Sequence, residues 1–282
     1  MSDFSSTLTV NSLFWLTSLG LDEQGVTRRI QEDLWSYLDS AGVVHKTCEP
    51  RTAAELLQVL SEVAEMAHTG LRPALHFDMH GDARNGIRVD ASGEFIPWQE
   101  FVAHLRVINV ATNNNLCVVS AACFSMNAVW QIELSNPCPF FILIAPENEV
   151  SSGFVEDNTL VFYKSLFDSL DVVQAHACHL VPRFSIFHCE RMLAYILRKY
   201  VREYCIGKGG RERREQLLTR ATSANLVHNR FDRRRVRRAA KAWIEPNHAM
   251  VDRFVQSHAT VFLMGKPFRF AVADVLKFAR GA

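Results

Sequence analysis

The sequence predicts an α/β domain built on a mostly parallel sheet flanked by helices, followed by a helical, basic C-terminal extension. Three observations carry this. Apolar runs of strand length alternate with amphipathic runs of helix length through residues 7–170. The strand-like runs are continuously apolar, as strands covered on both faces are. Charge divides the chain: residues 1–184 hold 10 Lys and Arg against 22 Asp and Glu, whereas residues 185–282 hold 21 against 8. These are the two predicted domains, and their opposite charges imply different partners or mutual attraction. With 282 residues, 48% hydrophobic and 22% charged, the composition excludes a disordered, collagenous or coiled-coil protein. The longest apolar run, residues 140–145, falls far short of the roughly 20 residues that span a bilayer. The start, Met-Ser-Asp-Phe-Ser-Ser, lacks the basic and apolar regions of a secretory signal, which points to the cytoplasm. In that reducing compartment, most of the Cys residues at 48, 117, 123, 138, 178, 189 and 205 read as small packing residues rather than a disulfide framework.

Taken in order, residues 7–14 read as the first strand and residues 26–40 as a helix, with Ile30, Leu34, Trp35 and Leu38 at helical spacing. Val43 and Val44 open a short second strand. A helix starts near Thr52, whose hydroxyl caps it, and carries Leu56, Leu57, Leu60, Val63 and Met66 on one face up to Gly70. Residues 73–81 form a buried strand that stops at a glycine. Residues 87–89 and 94–96, joined by Asp90-Ala-Ser-Gly93, predict a polar-tipped hairpin inserted outside the core. Pro97 opens a helix through Leu105, and residues 116–123 and 140–144 are further buried strands. Residues 157–170 make a helix with Leu160, Val161, Tyr163 and Leu166 inward. Beyond Pro182 a long helix carries Met192, Tyr195, Ile196, Tyr200 and Tyr204, and a break follows at Gly207, Gly209 and Gly210. Residues 230–241 form a very basic helix, and the remainder is too mixed to assign.

In parallel α/β sheets, ligands bind at the carboxyl ends of the strands. Two such ends carry chemistry: His80 followed by Gly81, and, 43 residues later, Cys123 preceded by Ala121 and Ala122. A thiol attacks as the thiolate, so it needs a neighbouring base, which an imidazole on an adjacent strand end supplies. Gly81 lets its backbone N–H approach a substrate carbonyl, and with the N–H of Cys123 it can form an oxyanion hole. The small Ala121 and Ala122 let a substrate backbone lie close.

An apolar strand ending in His-Gly, followed by one ending in Ala-Cys, resembles the caspase-like (clan CD) cysteine peptidases: caspases, metacaspases, gingipains, separases and bacterial CHAT domains. The hairpin and helix of residues 87–105 resemble the CHAT arrangement. So does the pattern Asp157, Phe162-Tyr163, Leu166, Val172-Val173, Ala175. The resemblance covers residues 7–180. It implies a cysteine endopeptidase of the bacterial CHAT-like type, with Cys123 as nucleophile, His80 as general base and acid, and Gly81 and Cys123 as oxyanion donors. No metal or cofactor is needed for that chemistry. It implies a protein substrate cut by limited proteolysis in antiphage defence or programmed cell death, pore-forming gasdermins being one partner class. The segment Ala121-Ala122-Cys123-Phe124-Ser125 departs from animal caspases, which carry Gln two before and Gly two after the nucleophile, and from metacaspases, which carry an acidic residue just before it. Asp82, Arg84, Ala121 and Ala122 are the substrate-pocket candidates, and an uncharged Ala121 supports no strict preference for Asp or for Arg and Lys.

Other readings compete. His76 shares a strand face with Asp78 and His80, as a partner of the site or as a solvent-facing residue. His176-Ala-Cys178-His179 and His188-Cys189 offer zinc ligands, though at no standard spacing. Arg233, Arg234, Arg235, Arg237, Arg238 and Lys241 suit nucleic acid or an acidic protein, with Phe231 or Trp243 able to stack on bases. A catalytically silent adaptor that keeps the fold and binds through this extension is the alternative function.

Overall fold

The computed structural model describes residues 6–267 together with Arg269, Phe270, Ala273 and Lys277. The chain divides into two compact units, Met1–Cys189 and Glu190–Ala282. The first is the predicted α/β sheet, and its main strands are β1 (Ser12–Ser18), β2 (Val44–Cys48), β3 (Pro73–Asp82), β6 (Cys117–Ser120), β7 (Ile142–Ala145) and β8 (Ser185–His188). Their order is β2-β1-β3-β6-β7-β8. All neighbours run parallel except β7 and β8, which are antiparallel. A hairpin, β4 (Gly86–Val89) and β5 (Glu94–Ile96), extends β3 through antiparallel pairing. Every residue of β1, β6 and β7 is buried, so both faces of the central sheet are covered, as continuous apolar strands require.

Helices α1 (Gln24–Ser40) and α4 (Ser152–Ser169) pack on one face, and α2 (Ala53–His68) and α3 (Trp98–Ala111) on the other. α1 buries Thr27, Ile30, Leu34 and Leu38, one residue per turn. α2 begins at the expected cap, where the Thr52 hydroxyl accepts the Glu55 N–H at 3.1 Å. α5 (Val172–His179) starts on the Asp171 carboxylate.

Several details depart from the sequence reading. The strand read over residues 116–123 ends at Ser120, so Ala121, Ala122 and Cys123 lie in the loop beyond it, and the helix read through Leu105 continues to Ala111. The first strand lies four residues or so further along, because the Asn11 side chain fixes its entry against Gly70 and Arg72. The hairpin belongs to the core: Ile87, Val89 and Ile96 are fully buried between β3 and α2. α4 starts at Ser152, capped by Ser151, so Phe162 and Tyr163 point inward and Val161 faces solvent. β8 has only four residues and two of them are polar, a pattern too short to read as a strand.

The second unit contains α6 (Cys189–Tyr200), which continues into a π turn, then α7 (Gly207–Ser223), α8 (Arg230–Ile244) and α9 (His248–Phe262). Leu197, Val201, Cys205, Met250 and Val251 form its core. The glycine cluster is a tight corner between two helices. Gly207 has φ +56°, and a Cβ on Gly209 or Gly210 would strike the carbonyl of Glu203 or Cys205.

One buried polar group sets the entry to β6. Asn109, fully buried at the end of α3, donates to the Cys138 carbonyl (2.7 Å) and to Asn114 Oδ1 (3.1 Å), and its Oδ1 accepts the Leu116 N–H (2.9 Å). Asn109→Ala strands those backbone groups without partners. It should destabilise the first unit by about 2–4 kcal/mol in chemical denaturation, and a loss under about 0.5 kcal/mol would contradict this role.

Candidate active site

Side chains of a strand alternate, so His76, Asp78 and His80 of β3 all face α1 and α4. The three meet different surroundings. His76 is 1% exposed, stacks on Trp15 with ring centroids 3.7 Å apart, and places Nδ1 2.8 Å from the Tyr163 hydroxyl. Burial pushes its imidazole down to about 3, so it is neutral at physiological pH. This corrects the solvent-facing reading. Asp78 is buried and accepts the Thr27 hydroxyl. Burial pushes its carboxyl up, while the hydrogen bond from Thr27 and the nearby His80 act in the opposite sense.

His80, at the strand end, is 39% exposed, and its Nε2 lies 2.9 Å from Glu23 Oε2. A carboxylate accepts a hydrogen bond from Nε2–H, and the imidazole tautomer that donates there has its lone pair on Nδ1. The spacing explains the double grip. Glu23 and Thr27 are four residues apart at the start of α1, a rise of about 6 Å. Asp78 and His80 are two apart on β3, about 6.6 Å. One helical turn therefore meets both. Glu23 is itself held, since its Oε2 accepts the Gly20 N–H at 3.3 Å. Sequence reasoning missed Glu23. An acid at the start of a helix carries no sequence signal of the distant strand end it meets.

Cys123 stands just beyond β6. The ladder pairs Phe77 with Ser120 and is extended by a bond from the Ala121 N–H to the Phe77 carbonyl (2.8 Å), so the following residues run beside Met79, His80 and Gly81. At Gly81 the two segments touch. A Cβ there would collide with the Cys123 carbonyl oxygen and lie 3.2 Å from the Ala122 Cβ. The structure thus brings His80, Gly81 and Cys123 to adjacent strand ends. Among the described residues no backbone carbonyl takes the Cys123 N–H. Phe124, the next residue, has φ +61°, a left-handed conformation that is strained for a bulky side chain and that turns the chain sharply after the sulfur. The loop is pinned by Asn127 Nδ2 to the Ala83 carbonyl (3.0 Å) and by the Met126 N–H to the Pro146 carbonyl (3.2 Å).

Of the pocket candidates, Asp82 caps its own turn by accepting the Arg84 and Asn85 N–H groups, which hold its carboxyl below the usual range. Arg84 is exposed. Ala121 is 8% exposed and Ala122 fully buried, so Ala122 serves the close approach of the strands and presents no surface. A cavity of about 630 Å³ opens over the ends of β1 and β2, lined by Thr17, Gly20, Arg28, Gln31, Arg51 and Asp90 among others. The six basic candidates, Arg233, Arg234, Arg235, Arg237, Arg238 and Lys241, are exposed on α8 in the second unit. The zinc alternative is not assembled among the described residues. His176 binds the Phe184 carbonyl at 2.7 Å, and His188 binds Ser6 at 3.0 Å.

No protein-family model matches the chain, and no curated protein matches it. Among solved structures, the chain is similar to a secreted C11 cysteine protease from Bacteroides thetaiotaomicron, "iotapain", with 10% identity and a TM-score of 0.45 over 69% of this chain and 71% of that one.

Two measurements probe this geometry. Cys48, Cys117, Cys138, Cys189 and Cys205 are buried, and burial pushes the thiols of Cys48, Cys138 and Cys205 up and that of Cys117 to about 12, whereas Cys123 is half-buried and Cys178 exposed. Iodoacetamide should therefore label Cys123 and Cys178 in the folded chain. His80→Ala should slow only Cys123; an equal effect on both, or none on Cys123, would contradict the pairing. For His76, the folded value lies below the unfolded one, so the unfolded chain binds more protons between pH 6.5 and about 3. Stability is lost as pH falls through that window, at up to about 1.4 kcal/mol per pH unit. His76→Gln should flatten this slope in denaturation at pH 6 and pH 4.

Proposed function

We propose that the chain is a caspase-like cysteine endopeptidase that cuts a protein partner by limited proteolysis. The observation that carries the reading is the contact of Gly81 with the Cys123 carbonyl, which sets the imidazole-bearing and thiol-bearing strand ends side by side. In the proposed reaction His80 Nδ1 takes the Cys123 proton and the thiolate attacks the scissile carbonyl carbon. The new S–C bond places negative charge on the carbonyl oxygen, which the Gly81 and Cys123 N–H groups receive. Collapse breaks the C–N bond as His80 returns the proton to the leaving amine. Water, deprotonated by His80, then hydrolyses the thioester, releasing a carboxylate and restoring the thiol. Glu23 holds His80 in the tautomer this needs and stabilises its cationic form.

In this reading Asp82 and Arg84, together with Ala121 and the buried Ala122, form the substrate pocket, and the exposure of Arg84 on the β3–β4 turn supports its part. The resemblance to CHAT-type peptidases supports a partner activated by a single cut in antiphage defence or programmed cell death, such as a gasdermin-like pore former. The second reading, a silent adaptor, rests on the second unit's charge alone.

The test is cleavage of proteins encoded beside this one, after capture on Cys123→Ala. Wild type should release defined fragments, and Cys123→Ala and His80→Ala should release none. Glu23→Ala should lower kcat about tenfold or more with KM little changed, because it acts through His80. Full cleavage by Cys123→Ala would overturn the proposal.

A further inference from the structure

The second unit carries a feature that peptide hydrolysis does not use. α8 places a basic stripe on its solvent face: at 100° per residue, Arg230, Arg234, Arg235, Arg238 and Lys241 fall within less than half of the helical circumference. The opposite side buries Ala240 and Ile244. Phe231 lies in the middle of the basic stripe and is 80% exposed. Helical geometry puts Arg234, Arg238 and Lys241 at successive turns on one line, i, i+4 and i+7, with Phe231 beside them.

Among the described residues most of this charge makes no ion pair. Arg237 binds Glu215 at 3.0 Å and Arg235 reaches Asp232 at 3.5 Å, whereas Arg230, Arg234, Arg238 and Lys241 make no ion pair among the described residues. The unit holds 21 Lys and Arg against 8 Asp and Glu. A solvated helix of ordinary composition alternates charge signs and carries i,i+4 pairs, whereas α8 has a single acid, Asp232, in its first turn. An exposed aromatic ring set among unpaired guanidinium groups fits a ligand with repeating negative charge and flat π faces.

We propose that α8 is a binding surface for single-stranded nucleic acid, with Arg234, Arg238 and Lys241 neutralising successive phosphates and Phe231 stacking on a base. A second aromatic group lies in the same unit. A groove of about 350 Å³ is lined by Tyr200, Tyr204, Trp243, Arg213 and Arg220, and the Arg213 guanidinium sits over the Tyr200 and Trp243 rings at 4.9 and 5.7 Å. An arginine already stacked on aromatic faces adds a flat, cationic wall of the kind single strands use. This surface is independent of Cys123 and His80, so it stands or falls apart from the peptidase proposal.

The experiment is fluorescence anisotropy with the full chain, using a labelled 20-nucleotide oligo-dT, the same length of duplex DNA, and polyglutamate as an acidic-protein surrogate, between 50 and 300 mM salt. Single-stranded DNA should bind most tightly, with affinity falling steeply with salt. Arg234→Gln/Arg238→Gln/Lys241→Gln should flatten the slope of log affinity against log salt by about 2, at about 0.7 per phosphate. Phe231→Ala should weaken binding about tenfold and leave the slope unchanged. All four positions are exposed, and helicity by circular dichroism checks that each variant folds. Absence of binding at 50 mM salt overturns the proposal. So does tighter binding to duplex or to polyglutamate with no effect of Phe231→Ala, which would make α8 a duplex or acidic-protein surface.

Discussion

The candidate site depends on the close approach of two backbones. The end of β3 touches the carbonyl of Cys123, and it can do so only because residue 81 has no side chain. That approach brings two separate sequence features, His-Gly and Ala-Ala-Cys, side by side. The buried strands behind it, with every residue of β6 and β7 covered, hold the ends in register. The apolar sheet fixes the position of the strand ends, and His80 stands where the sheet meets solvent.

The polar groups are graded along β3. His76 is sealed and neutral, Asp78 is buried but hydrogen-bonded, and His80 reaches the surface and meets a carboxylate. Side chains two residues apart on one strand thus occupy three different environments, and of the three only His80 is open to solvent. Charged groups near His80 include Glu23 at the start of α1, Asp78 on its own strand, and Arg88, which lies opposite His80 in the β3–β4 ladder and is itself bound to Asp90 at 3.2 Å. On the proposed reading, the carboxylate of Glu23 faces the imidazole most directly and sets its tautomer.

Much of this was legible in the sequence. Continuous apolar runs announced a doubly covered sheet, Thr52 announced its helix, and glycine after His80 announced a strand end. What was not legible was contact between distant segments. Glu23 looks like any exposed acid until the fold lays the first turn of α1 against the end of β3. The hairpin reads as a polar insertion because its turn is polar, yet tertiary packing buries Ile87, Val89 and Ile96. β8 was invisible because four residues, two of them polar, give no period. The glycine cluster at 207–210 reads as a break, yet α7 starts at Gly207 itself, since backbone freedom suits both a break and a tight turn between helices.

The most direct measurement is a crystal structure of the chain after reaction with a peptidyl chloromethylketone. The account predicts a thioether at Cys123, the inhibitor carbonyl oxygen within hydrogen-bond distance of the Gly81 and Cys123 N–H groups, and His80 Nδ1 facing the sulfur with Nε2 still on Glu23. An adduct at another cysteine, or an imidazole turned away from the modified sulfur, would contradict it.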